Sequence, residues 1–208
     1  MTLPSYAEAR RQIVAVGRRF DARGWAPATS GNYSLRLGDG SIAITVSGVH
    51  KGRLAHGNVM RVDLDGRALD DGRPSAETAL HVALYRWSEA VGAVLHSHSP
   101  GAVALSRVLG DTWTIEGHEL LKAFPGVVTH ATKVAIPIVD NNQDMAEILA
   151  AVEPRLLAEP RPPAYLIRGH GLYGWGRDMA EAERVIEAAE WLVAAELAER
   201  ALAVRSSR

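Results

Sequence analysis

Apolar residues in this chain arrive in short alternating runs, set between segments whose apolar residues recur every three or four positions. Ile42, Ile44 and Val46 alternate, as do Met60, Val62 and Leu64, with Asp65-Gly66 supplying turn residues between extended segments. Val91 to His98 is another such run, and Trp113 to Ile115, Val134 to Val139 and Tyr165 to Ile167 also fit extended chain. Helical spacing puts Ala9, Ile13, Val16 and Phe20 on one face. Pro74-Ser75 opens a helix with Leu80, Ala83, Leu84 and Trp87 inward and Ser75 as its N-cap. Near the end, Ala182, Val185, Ile186, Ala189, Leu192 and Val193 line an amphipathic helix, with Glu181, Glu183, Glu187 and Glu190 elsewhere around it. This order of elements predicts an α/β sandwich with a largely antiparallel sheet.

With 208 residues, 47% of them hydrophobic, the chain can bury one substantial core, and residues 1–208 are expected to form one domain. The Pro-rich stretch Glu159 to Pro163 reads as a loop, because too few residues follow it for an independent core. Lys and Arg number 23 against 24 Asp and Glu, so no basic excess is available to hold a nucleic-acid backbone. No apolar stretch approaches the roughly 18 to 20 residues of a membrane span, and no secretory apolar block opens the chain. A soluble, cytoplasmic protein is expected. The Arg-rich segment Arg10 to Arg23 resembles a transit peptide in composition, but its apolar spacing marks a folded helix. Cysteine is absent, which excludes disulfides and thiolate metal sites and leaves His, Asp and Glu as the strong ligands.

His96-Ser97-His98 closes a hydrophobic run, and side chains two apart on extended chain point to the same side, where they can approach one metal ion together. A hydrogen-bonded pair at a strand terminus is the alternative. His170, flanked by Gly169 and Gly171 after an extended segment, is a candidate third ligand or a solvent-facing residue of a glycine turn. No fourth protein ligand is apparent, so such a centre would keep open positions and be catalytic. Glu77 is either a proton carrier or an acid placed in a first helical turn by the macrodipole, and Glu119 is either catalytic or a surface residue. His118 points away from Glu119 on extended chain and is not expected to share a centre with it. The loops Thr29 to Ser34 and Thr45 to Gly48 offer hydroxyls and Gly-exposed amides to a phosphate, and Lys51 offers a charge; polar turn chemistry explains them equally. No Walker loop, Gly-x-Gly-x-x-Gly or Gly-x-Ser-x-Gly is present.

Taken in order, Ser30-Gly31-Asn32-x-Ser34, Thr45-x-Ser47-Gly48, Pro74-Ser75-x-Glu77, His96-x-His98 and Gly169-His170-Gly171 resemble the class II aldolase/adducin family over about residues 5–195. The resemblance implies a three-layer α/β/α sandwich, one zinc ion per subunit, an active site near a subunit interface and a homotetramer. It makes His96, His98 and His170 the zinc ligands and Glu119 the acid/base residue. It also makes Asn32, Ser47, Gly48 and Ser75 phosphate contacts, to which Lys51 is added on its charge alone.

The segments 119–124, 139–144 and 165–176 look like the family's dehydratases rather than its sugar-phosphate aldolases or pentose-phosphate 4-epimerases. The expected substrate is therefore a phosphorylated ketose that loses water. An aldolase or epimerase is the alternative, and a non-catalytic interaction module a third. Glu77 matches the aldolases' acid/base residue, which leaves two readings: it moves a second proton, or it lies by the metal as an electrostatic and structural element. Phe124, Tyr173 and Trp175 are candidates for an apolar subsite, with core positions as the alternative.

Overall fold

The structure is a computed structural model and describes residues 3–206. In chain order the elements are α1 (Tyr6–Ala22), β1 (Asn32–Arg36), β2 (Ile42–Thr45), β3 (Val59–Val62), α2 (Thr78–Trp87), β4 (Ala93–Ser97), α3 (Pro100–Val108), β5 (Thr112–Glu116), β6 (Lys133–Val139), α4 (Met145–Leu156), β7 (Ala164–Ile167), β8 (Gly171–Gly176) and α5 (Met179–Ser206). The strands form one sheet in the order β3-β2-β1-β4-β8-β7-β6-β5, antiparallel at every pairing except β6 with β7.

Strand alternation sends apolar side chains to both faces, and each face is covered by helices. Leu35, Leu95, Ile136 and Leu166 pack with α1, α3 and α5, whereas Ile44, Val94, Tyr165 and Tyr173 pack with α2 and α4. This is the expected three-layer α/β/α sandwich. Helix α1 buries Ala9, Ile13, Val16 and Phe20 completely, as their spacing predicted, and Ser5 caps it by accepting from the Glu8 N–H. Each large side chain so buried stabilises the fold by about 1.5–3 kcal/mol.

Four features depart from the sequence expectation. The polar loop Thr29 to Ser34 ends early, because Asn32 already pairs with His96 in the sheet. Helix α2 begins at Thr78 with Glu77 at the N-cap, so Ser75 is not its cap. The chain is still extended at Pro74, which bridges Val46, and the Ser75 hydroxyl only closes a local turn by accepting from the Glu77 N–H at 3.4 Å. Strand β8 has no apolar alternation to announce it, since three of its residues are glycines. A Cβ on Gly176 would come within 2.5 Å of the Ala182 nitrogen, so glycine is what lets α5 lie directly on this strand. Finally, Glu190 lies on the buried face of α5, accepting from the Ser97 and Ser99 hydroxyls, rather than on its polar side.

Candidate metal centre

The sheet register assembles one row of directly opposed residues: Asn32 on β1, His96 on β4, Tyr173 on β8 and Tyr165 on β7. All four side chains point to the α2 face. The His96 ring lies 4.0 Å from that of Tyr173 with 15° between their planes, and Tyr173 stacks in turn on Tyr165 at 4.9 Å. His98 follows just beyond the end of β4, and its backbone N–H is held by the Trp25 carbonyl at 2.8 Å. The turn between β7 and β8 delivers His170. Gly169 adopts φ 68°, a left-handed conformation suited to glycine, while a Cβ on Gly171 would strike the Ser97 carbonyl at 2.2 Å and the His96 ring at 2.8 Å.

Glu77 completes the group from the start of α2. One ligand atom each from Glu77, His96, His98 and His170 lies within 4.8 Å of all the others. The three imidazole rings are 4.3, 5.1 and 4.8 Å apart, centre to centre. Glu77 Oε1 is 2.9 Å from His170 Nε2, and Oε2 is 3.3 Å from His96 Nε2. Spacing in sequence gave no fourth ligand, yet the fold provides a carboxylate.

Tautomers follow from the partners of the other ring nitrogens. His96 Nδ1–H donates to the Leu172 carbonyl at 3.0 Å, and His170 Nδ1–H donates to Asn141 Oδ1 at 3.2 Å, so both rings turn an Nε2 lone pair inward. His96 Nε2 is fully buried and has no hydrogen-bond partner. A buried nitrogen lone pair left without a partner, facing two more imidazoles and a carboxylate, fits a divalent ion of the zinc, iron, manganese or cobalt type.

Electrostatics agree. Burial pulls His96 down to about 4 and His98 down to about 3, keeping both neutral and able to bind metal at physiological pH. Burial raises the Glu77 carboxyl, but the surrounding imidazoles and the hydrogen bonds from Asn32 and Tyr173 outweigh it and hold its pKa far below the usual carboxylate range. Asn32 Nδ2–H and Tyr173 O–H both donate to Glu77 Oε2, each at 2.7 Å.

The loops read as phosphate-binding lie beside this cluster. Lys51 Nζ donates to the Thr29 carbonyl at 2.9 Å and the Val49 carbonyl at 2.7 Å, tying the loop before Asn32 to the loop that carries Ser47 and Gly48. Lys51 is only 2% exposed, and burial pulls its pKa down to about 8 despite the nearby Glu77. It is therefore a buried brace between the loops rather than an exposed point charge. Gly48 takes φ 76°, and the Ser47 N–H binds the Arg73 carbonyl in the segment leading to Ser75.

Glu119 lies elsewhere. It sits in a 3-10 turn, Glu119–Ala123, where its carboxylate pairs with Lys122 and lies 3.4 Å from His130 Nδ1. Its side chain is 69% exposed and makes no hydrogen bond or ion pair with the cluster among the described residues. It lines a groove with Leu120, Arg184, Glu187 and the half-exposed Trp191 of α5. Phe124, Tyr173 and Trp175 are core residues, with Tyr173 adding its hydroxyl to Glu77. The sequence reading missed Asn141, Tyr173 and His81 as polar supports. His81 was nonetheless legible, since Glu77, His81 and Tyr85 recur every four residues.

An α/β/α sandwich whose mainly antiparallel sheet carries a His-x-His strand, a later His and a helix-start Glu defines a class of metal-binding proteins. Residues 11–197 match the Class II Aldolase and Adducin N-terminal domain, and the chain belongs to that family. It is 52% identical over 189 residues to the methylthioribulose-1-phosphate dehydratase of Pseudomonas paraeruginosa (strain DSM 24068 / PA7), covering 90% of this chain and 92% of that protein. It is 49% identical over 201 residues to the protein of the same name from Azotobacter vinelandii, covering 96% and 98%. Among solved structures, L-fuculose-1-phosphate aldolase from Thermus thermophilus is similar with a TM-score of 0.77 and 27% identity, covering 95% of this chain and 97% of that one.

Proposed function

We propose that this chain is a zinc-dependent hydro-lyase. It removes water from 5-methylthioribulose 1-phosphate to give 2,3-diketo-5-methylthiopentyl 1-phosphate, a step of methionine salvage in the cytoplasm. The observation that carries this reading is the 52% identity, across nine-tenths of both chains, to a relative bearing that dehydratase name. The His and Glu cluster supports its metal-dependent half.

The reaction breaks the C3–H bond and the C4–O bond of the sugar. A zinc ion held by His96, His98, His170 and Glu77 would supply a Lewis acid for the C2 carbonyl, which makes the C3 hydrogen acidic. Glu119, ionised, takes the proton from C3, and the electron pair of that bond becomes the C3–C4 double bond as the C4 oxygen departs. Glu119 returns the proton to that oxygen, which leaves as water. The remaining enol tautomerises to the 2,3-diketone. Glu77 serves as an anionic ligand rather than a proton carrier, a role supported by the two hydrogen bonds its Oε2 already accepts. Asn32, Ser47, Gly48 and Ser75 take the phosphate, with Lys51 bracing their loops.

Glu119 and the cluster make no contact within one chain, so Glu119 acts on the centre of a neighbouring copy in a homo-oligomer, a tetramer by family resemblance. The exposed Trp191 beside it supports a contact surface there.

The test is a mass-spectrometric product assay with zinc-loaded protein, offering 5-methylthioribulose 1-phosphate and, separately, fuculose 1-phosphate. Loss of one water from the first with the second untouched is expected. Carbon–carbon cleavage of the second, with no dehydration of the first, would establish instead a sugar-phosphate aldolase. That second reading draws on the likeness to the Thermus aldolase and on Glu77, which matches the aldolases' acid/base position.

A further inference from the structure

His81 is completely buried on α2 and lies outside the four-residue cluster. It sits over two residues of β1 that share a face, and it uses both ring nitrogens. Nδ1 lies 2.7 Å from the Ser34 hydroxyl, and Nε2 is hydrogen-bonded to Asn32 Oδ1. Ser34 in turn lies 2.8 Å from the Tyr85 hydroxyl, and Asn32 Nδ2 lies 2.7 Å from Glu77 Oε2.

The direction of every hydrogen bond in this chain follows from its acidic end. Glu77 Oε2 is an acceptor, already taking the Tyr173 hydroxyl, so Asn32 presents its NH2 group to it. Asn32 Oδ1 must then face His81, and an amide oxygen only accepts, so His81 carries its hydrogen on Nε2. Its Nδ1 is therefore an acceptor, the Ser34 hydroxyl donates to it, and Tyr85 donates to Ser34. His81 is thus held as the opposite tautomer to His96 and His170, whose hydrogens are on Nδ1. Were the Asn32 amide turned over, its oxygen would face the Glu77 carboxylate at hydrogen-bond distance, a repulsive contact in a buried site.

We infer that His81 is a positioning residue of the metal centre. Through Asn32 it holds Glu77 Oε2 beside His96 Nε2 and leaves Oε1 turned toward His170. The inference rests on the cluster being a metal centre, and its tests separate the two. His81 and Glu77 belong to α2 and its N-cap, and Asn32 and Ser34 to β1, so the network also registers α2 against β1 at the point where ligand geometry is set.

The experiment is a cobalt(II) titration of the wild-type chain, His81→Leu and His81→Gln, read by the visible d–d absorption and by competition with a chelating dye. Wild type is expected to bind one cobalt ion per chain. His81→Leu should bind about 10- to 100-fold more weakly with an altered d–d envelope. His81→Gln, whose side-chain NH2 reaches the same Asn32 oxygen, should recover most of the affinity. A folded His81→Leu with unchanged affinity and spectrum overturns the inference while leaving the metal centre intact. A wild-type chain that takes up no cobalt overturns the metal centre and the inference with it.

Should His81→Leu fail to fold, a second measurement on the metal-free wild type decides. In a 15N-edited histidine spectrum, with His81 assigned by its loss in His81→Gln, Nε2 should carry the hydrogen and Nδ1 should show the unprotonated shift. A hydrogen on Nδ1 would reverse the Asn32 amide and sink the proposal.

Discussion

Glu77 and Glu119 stand in regions built on opposite plans. Glu77 is nearly buried, accepts hydrogen bonds from Asn32 and Tyr173 and faces three imidazoles, so its protonation state and direction are settled by its own chain. Glu119 is exposed, paired among the described residues only with Lys122 and His130, and borders an open groove. Surface ion pairs of that kind are solvent-screened and hold a side chain weakly. The difference teaches that the cluster is preorganised by the fold of one chain, whereas Glu119, as the proposed proton carrier, would gain its surroundings from a neighbouring copy. A site divided in this way would separate two properties that are usually mixed, metal binding and proton transfer.

The largest expected effect removes the centre alone. His98→Ala should take metal content to near zero and abolish dehydration, measured by metal analysis and product assay on protein shown to be folded by circular dichroism; one retained zinc per chain would break the comparison at its first step. Glu119→Gln should do the converse, lowering kcat by about 10²- to 10⁴-fold with metal content and denaturation midpoint unchanged. Mixed oligomers of these two inactive variants sharpen the test. If Glu119 serves a neighbouring centre, about a quarter of the sites regain both groups and activity returns. Glu77→Gln should fall between them, weakening metal affinity by about 10- to 100-fold in a competition titration. Full affinity in that variant would remove Glu77 from the ligand set.

How legible all this was depends on whether the signal was periodic. The helices at Ala9 to Phe20 and Ala182 to Val193, and the strand that runs through His96 and Ser97, announce themselves by spacing, and the structure has them. Strand β8 does not, because packing α5 onto it demands glycines where a strand pattern would show apolar residues. The candidate cluster was legible in three of its four members for a related reason. His96 and His98 are close in sequence and His170 stands out between glycines, but Glu77 joins them because the sheet register puts Asn32 and Tyr173 on either side of His96 and both bind that carboxylate. Register is a long-range property, which local spacing does not encode. Lys51 shows the limit from the other side: its charge suggested a phosphate contact, while its burial between two carbonyls makes it a brace.

The smallest effect concerns stability, and it compares the buried side of the molecule with itself at two pH values. His81 is completely buried, and burial pulls its pKa from 6.5 down to about 4, an effect only partly offset by Glu77. The folded protein therefore resists protonation that the unfolded chain accepts. Stability from this group is present in full above about pH 6.5, is lost as the pH falls toward about 4, and changes no further below that. In metal-free protein, the change is expected to reach roughly 3 kcal/mol across that window. Urea unfolding of wild type and His81→Gln isolates it, since carboxylates titrate alike in both and cancel in the difference. The advantage of wild type over the variant should shrink as the solution is acidified. An advantage that held constant, or grew, would mean that His81 carries a proton in the folded state. Such a ring has no acceptor left for the Ser34 hydroxyl, and the direction of hydrogen bonding from Tyr85 through Ser34 to His81 would be lost.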